Sequence, residues 1–191
     1  MVIEGIITTE NSDGSLHVAP IGPHVDRELS SWVLKPFQTS TTFSNLKSRN
    51  RCVFHVTDDA LLMAAAVLGL CNNPQDENIR NACAADFDSE WGWLLRSACR
   101  TFALSVEQWD DSQPRAVAVC KLCHTLDIRP FWGWNRAAHS ILEVSILASR
   151  QHLLESHVIV AELDRHGVIV QKTAGSREMA AWELLKKRLS P

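Results

Sequence analysis

Four consecutive hydroxyl residues, Thr39, Ser40, Thr41 and Thr42, stand between Lys35-Pro36 and a stretch with Phe43 and Leu46 three apart. That spacing predicts a short helix opening in the hydroxyl turn and ending at Asn50. Trp32-Val33-Leu34 leads in as an apolar segment, and Cys52-Val53-Phe54-His55-Val56, closed by Asp58-Asp59, leads out as a strand. The first N–H groups of a helix lack intrahelical acceptors and carry partial positive charge, so a turn of this kind favours phosphate. Lys35, Lys47, Arg49 and Arg51 add cationic charge nearby. The same pattern also describes an ordinary surface helix N-capped by Ser40 or Thr41, and for a local motif that is the commoner case.

Three other stretches carry groups with chemical potential. Cys120-Lys121-Leu122-Cys123-His124 matches the string that attaches c-type haem. It lies within a strand pattern, however. Alternation places Ala116, Ala118, Cys120 and Leu122 on one face and Cys123 on the other, so core cysteines are expected and no metal. Arg136, Glu143 and Arg150 recur every seven residues along a long helical pattern, with His139 one turn before Glu143. Ala138, Leu142, Ser145, Ile146 and Leu153 form a second stripe, expected to pack on the barrel. Asn135 is the expected N-cap, and Asn135-Arg136 at a helix start is suited to a phosphate. Lys172-Thr173-Ala174-Gly175-Ser176 repeats the turn-and-cap logic near the C-terminus. The chain contains no G-x-S-x-G, no Walker A loop and no G-x-G-x-x-G.

Taken in order, GIITTENSDGSLHVAPIGP, LKPFQTSTTFSNL, VFHVTDD, GWNRAAHSILEVSILASR and VQKTAGSRE resemble the flavoredoxin-like FMN-binding split-barrel proteins. They are most similar to an uncharacterised family of archaea and some bacteria whose structurally known members bind FMN. The resemblance covers most of the chain outside about residues 72–95. It implies an FMN-binding protein, a homodimer with the flavin at the subunit interface, acting as a flavin-dependent oxidoreductase. The alternative is a non-catalytic flavin-binding or interaction protein, such as a carrier, sensor or assembly factor. Carried over by position, phosphate contacts fall at Lys35, Thr39, Ser40, Thr41, Thr42 and Asn45. The backbone of Pro20, Ile21 and Gly22 would lie along the isoalloxazine. Asn135, Arg136, Lys172 and Thr173 are further cofactor-binding candidates. The long helical C-terminal part and the 72–92 segment depart from the flavoredoxin-like pattern.

The elements that must position these residues follow from periodicity. Val2 to Thr9 and Leu16 to Ile21 form a hairpin about Asp13-Gly14. Pro20, Gly22 and Pro23 mark an edge, a bulge or a close approach. Leu29 to Leu34 is a third strand, and Asp58 or Asp59 caps a buried helix from Ala60 to about Leu70. Residues 72–92 read as a mobile excursion with one short helix near 79–85. Arg96 to Trp109 and Ala116 to Ile128 form a longer hairpin. Trp134 to Leu154 is a helix, and Glu155 to His166 continues helical with Gly167 as its stop. Val168 to Val170 is then extended, and Ser176 to Leu189 is a final helix. The expected fold is mainly β: an antiparallel split barrel over residues 1–133 with a helical extension, 134–191, packed on it.

Composition sets the remaining bounds. The 191 residues are 46% hydrophobic and 21% charged, enough for a sizeable core. A net charge of −3 argues against general nucleic-acid binding. The start has no cationic n-region, and the longest apolar run, Ala60 to Cys71, is too short for a bilayer, so no membrane partner is expected. A cytoplasmic protein with mostly reduced cysteines is the expectation. Seven Trp and no Tyr supply flat apolar area for a core, an interface or a flat ligand.

Overall fold

The computed structural model describes residues 1–190. Its contacts group into two compact units, Met1–Thr57 with Ala84–Pro130, and Asp58–Cys83 with Phe131–Pro191. Along the chain the strands precede 133 and the later helices follow it, but the segment Asp58–Cys83 groups with those helices.

The first unit holds β1 (Gly5–Glu10), β2 (Leu16–Ile21), β3 (His24–Val25), β4 (Trp32–Leu34), α1 (Thr41–Arg49) and β5 (Arg51–Val56). It continues with β6 (Ala85–Asp88), β7 (Gly92–Leu95), β8 (Arg100–Asp110) and β9 (Val117–Asp127). Seven of these strands form one antiparallel sheet in the order β2-β1-β5-β8-β9-β4-β3. Strands β2 and β3 are neighbours in sequence yet stand at opposite ends of that order. The residues before β1 draw the two ends together: Ile3 N donates to Pro23 O at 3.2 Å, and Val2 bridges His24. This is a split barrel. Pro20 sits on the edge strand β2, where a missing N–H breaks no inner ladder. At Gly22 an added Cβ would lie 2.8 Å from the Val2 side chain, so a larger residue would displace Val2 where the two segments cross.

Inside the sheet Trp32, Phe54 and Phe102 meet, with ring centres 5.5 Å apart for Trp32–Phe54 and 4.8 Å for Trp32–Phe102. Ile7, Leu34, Leu46, Leu104 and Ala118 belong to the same buried cluster. The expected mobile excursion is ordered at its later end. Strands β6 and β7 pair as a hairpin, Thr8 Oγ1 donates to Trp93 O at 2.6 Å, and Leu95 N donates to His55 Nε2 at 3.1 Å. Sequence periodicity misses this hairpin because its four-residue strands, ADFD and GWLL, do not alternate cleanly.

The second unit holds α2 (Ala60–Val67), α3 (Glu77–Ala82), α4 (Arg136–Ser149), α5 (Ser156–Thr173) and α6 (Ser176–Leu189). Helix α2 is buried from Ala60 through Ala66 and packs against α4 and α6, as an apolar helix must. Asp59 is its cap: Oδ1 accepts from Leu61 N at 3.0 Å and Leu62 N at 3.2 Å. The same carboxylate takes the Arg177 guanidinium of α6, with Nε at 2.8 Å. One side chain thus starts α2 and ties it to α6. Asp59→Ala removes a cap and a charged hydrogen bond together, and a loss of about 3 kcal/mol is expected in a urea titration. A loss below about 1 kcal/mol would show that the two helices hold each other without it.

Two expectations for the helices are corrected. The buried stripe of α4 is Ala137, Ser140, Ile141, Val144 and Ser145; of the expected Ala138, Leu142, Ser145, Ile146 and Leu153, only Ser145 is among them. Arg136, Glu143 and Arg150 form no ion pair with one another among the described residues. Gly167 does not stop a helix; α5 runs through it to Thr173, and Val168–Val170 is helical. The glycine serves closeness instead, since a Cβ there would lie 3.3 Å from the buried Trp182 ring. Cys71 and Cys83 form a disulfide across a sequence separation of 12, a pairing with no signal in their spacing. Among the described residues no helix is long and apolar enough to cross a membrane.

Candidate functional site

The hydroxyl turn divides into two pairs with different tasks. Ser40 is the N-cap of α1: its Oγ accepts from Phe43 N at 3.2 Å and donates to Phe37 O at 2.7 Å. Thr42 is buried, with Oγ1 3.3 Å from His17 Nε2 on β2. Asn45, one turn on, is also buried and donates to Thr9 Oγ1 at 3.0 Å and Asn11 Oδ1 at 2.9 Å. These three side chains fasten α1 to itself and to the first hairpin. Burial also holds the His17 imidazole below its ordinary range.

Thr39 and Thr41 are the outward pair. Both are exposed, and neither hydroxyl has a hydrogen-bond partner among the described residues. The N–H groups of Thr41 and Thr42 likewise have no acceptor there, because Ser40 caps only Phe43. Lys35 is half-buried at the end of β4 and forms no ion pair among the described residues. Two hydroxyls, two helix-start N–H groups and one ammonium are therefore left to an outside acceptor, with a phosphate's chemistry.

The turn is held rigid by residues the sequence reading passed over. Gln38 N donates to Pro114 O at 3.1 Å, and its side-chain Nε2 donates to Asp111 O and Gln113 O, each at 2.7 Å. Lys47 closes the other end of α1, with Nζ 2.8 Å from Asp111 and 4.5 Å from the Trp109 ring centre. Each of these links spans more than sixty residues of chain, and local periodicity carries no trace of them.

The other sequence candidates lie elsewhere. Pro20 and Ile21 end the edge strand β2, and Gly22 follows beside Val2 and Glu4. In the second unit Asn135 caps α4 through Ala138 N at 3.1 Å, as its position predicts, and donates to Thr173 O at 3.4 Å. Thr173 Oγ1 donates to Ile169 O at 2.9 Å. The structure thus joins Asn135 with Thr173 and engages the polar atoms of both internally. Arg136 and Lys172 are exposed beside them.

The buried titratable groups are structural. His55 is wholly buried, 3.3 Å from Ile6 O through Nδ1, and burial pushes its pKa down to about 3. Burial raises the Cys52 thiol well above its usual range and pushes Cys120 up to about 12. Of the two expected core cysteines, Cys120 is buried, whereas Cys123 falls at a break in the β8–β9 register and is exposed.

An antiparallel split barrel with an anion-ready turn after β4 has the fold of the flavin reductases. The chain is similar in structure to an FMN-bound protein from Methanosarcina mazei, at a TM-score of 0.78 and 18% identity over 98% of this chain and 94% of that one. The flavin reductase of a styrene monooxygenase from Pseudomonas putida matches at a TM-score of 0.51 and 11% identity, covering 67% of this chain and 82% of that one. An NADH:FAD oxidoreductase from Streptomyces globisporus gives 0.51 and 9%, over 65% and 75%. At such identities the likeness speaks to the fold. No curated protein matches the chain in sequence. Residues 3–127 match the model of the N-terminal domain of a protein of unknown function, DUF447, and residues 135–187 match its second model. The chain belongs to the DUF447 family.

Proposed function

We propose that this chain binds FMN, as a homodimer with the flavin at the subunit interface, and serves as a flavin-dependent oxidoreductase. The observation that carries the reading is the unpartnered set of Lys35, Thr39, Thr41 and the first N–H groups of α1. Grouped at one rigid turn, they suit the phosphate of a phosphomonoester. Ser40, Thr42 and Asn45 support that set from behind and hold the turn in place. Support for a flavin over other phosphates comes from the split-barrel fold and from the FMN-bound relative.

Bound FMN would supply electron or hydride transfer. The protein would fix the ring, screen it from water and bias its potential through charge and hydrogen bonds. The backbone of Pro20–Gly22 at the edge strand suits the approach of a flat ring, since an edge leaves main-chain groups unpaired. A second subunit is favoured by Trp132 and Trp134, which are 89% and 85% exposed in the single chain. The test is direct. The purified protein should carry a yellow chromophore released as FMN by mass, sediment as a dimer, and bleach when a nicotinamide donor is added without air. Colourless protein that ignores added FMN would end the reading. A yellow dimer that no donor reduces would leave binding and remove the reductase.

A further inference from the structure

Arg115 lies seventy-six positions beyond Thr39, and no local motif points to it. The pairing of β4 with β9 brings it back. Trp32, Val33 and Leu34 pair with Cys120, Val119 and Ala118. The register then continues past the strand: Ala116 N donates to Pro36 O at 3.0 Å, and Phe37 bridges Arg115. Lys35 therefore falls opposite Val117.

Side chains alternate along such a pair. Trp32, Leu34, Pro36, Ala116, Ala118 and Cys120 are all buried on one face. Lys35, Phe37, Arg115 and Val117 belong to the other. On that face Lys35 and Arg115 are diagonal neighbours, whose Cα atoms stand roughly 7–8 Å apart in a regular antiparallel pair. The Arg115 guanidinium rests 4.2 Å from the Phe37 ring centre, so it is parked and not trailing in solvent. Neither cation forms an ion pair among the described residues. Two like charges on one face of the pair repel, and an anion between them removes the repulsion.

We propose that Arg115 is a phosphate-binding residue, closing with Lys35 on the anion that the Thr39–Thr41 turn holds. This rests on the FMN reading above and names a residue for it. A guanidinium presents several donors in a fixed plane and grips a phosphate through two at once, where an ammonium acts as a point charge. Lys35 would then set charge and Arg115 orientation.

Arg115→Gln is expected to weaken FMN roughly ten- to a hundredfold, and riboflavin by less than about twofold. Arg115→Lys should restore part of the loss, because charge returns without the fork. Lys35→Gln with Arg115→Gln should bring FMN close to riboflavin. A merely structural Arg115, acting through Phe37, would weaken both flavins equally and lower the melting temperature of the ligand-free protein. Either that outcome or an unchanged FMN-to-riboflavin ratio overturns the proposal while leaving FMN binding in place. Wild-type protein that binds neither flavin overturns both.

Discussion

Changing Thr39 and Thr41 to Ala together should weaken FMN binding on the order of a hundredfold or more and riboflavin binding hardly at all. A hydrogen bond to a charged group is worth roughly 1.5–3 kcal/mol, and this change removes two. Both hydroxyls are exposed and unpartnered among the described residues, so the ligand-free protein should unfold as before. Thr42→Ala serves as the contrast. Its hydroxyl is buried against His17, so its loss should cost about 1 kcal/mol of stability. Any effect on binding should then fall on both flavins alike. Fluorescence titrations with FMN and riboflavin, beside urea unfolding of each variant, separate these outcomes. If Thr42 discriminates between the flavins while Thr39 and Thr41 do not, the phosphate lies on the other side of the turn.

The second large effect concerns acid. Leu95 N donates to His55 Nε2, so Nε2 is the acceptor nitrogen and the proton sits on Nδ1, facing Ile6 O. A second proton has no place in that geometry, and burial lowers the pKa from 6.5 to about 3. The folded pKa is thus depressed below the unfolded one. Stability is full above about pH 6.5, and it falls as the pH drops toward 3, because the unfolded chain takes up a proton that the folded chain refuses. The slope approaches about 1.4 kcal/mol per pH unit. His55→Gln keeps one donor and one acceptor and cannot titrate. Urea unfolding from pH 7 to pH 4 should show the variant losing much less stability than wild type. Equal slopes would assign the acid sensitivity to other groups.

Much of the frame is written locally. Strand β2 and helix α6 have the bounds their periodicity predicts, and Ser40, Asp59 and Asn135 cap the helices they precede. Caps and alternation are short-range chemistry, so short windows reveal them. Failures came where the reason is distant. Gly167 reads as a stop until the Trp182 ring beside it is seen. The buried stripe of α4 depends on which neighbours α2, α5 and α6 present, and several stripes on that helix are apolar. At the candidate site the hydroxyl run was legible as a group. Its division into fasteners and free donors was not, because His17, Thr9 and Asn11 reach Thr42 and Asn45 across the fold. Arg115 was invisible for the same reason, since its place depends on strand register.

The distribution of tryptophan gives this chain a built-in pair of optical reporters. With no Tyr present, ultraviolet emission comes from indole alone. Trp32 and Trp182 are sealed from water, Trp91, Trp93 and Trp109 are half-buried, and Trp132 and Trp134 are almost bare. Sealed indoles emit to the blue of bare ones, so the native spectrum should be a composite of both. Selective quenching by iodide would strip away the red component and leave the blue. Acid entering through His55 should move the blue component, and a surface that covers the 131–134 segment should protect the red one, so a single cuvette can tell these events apart.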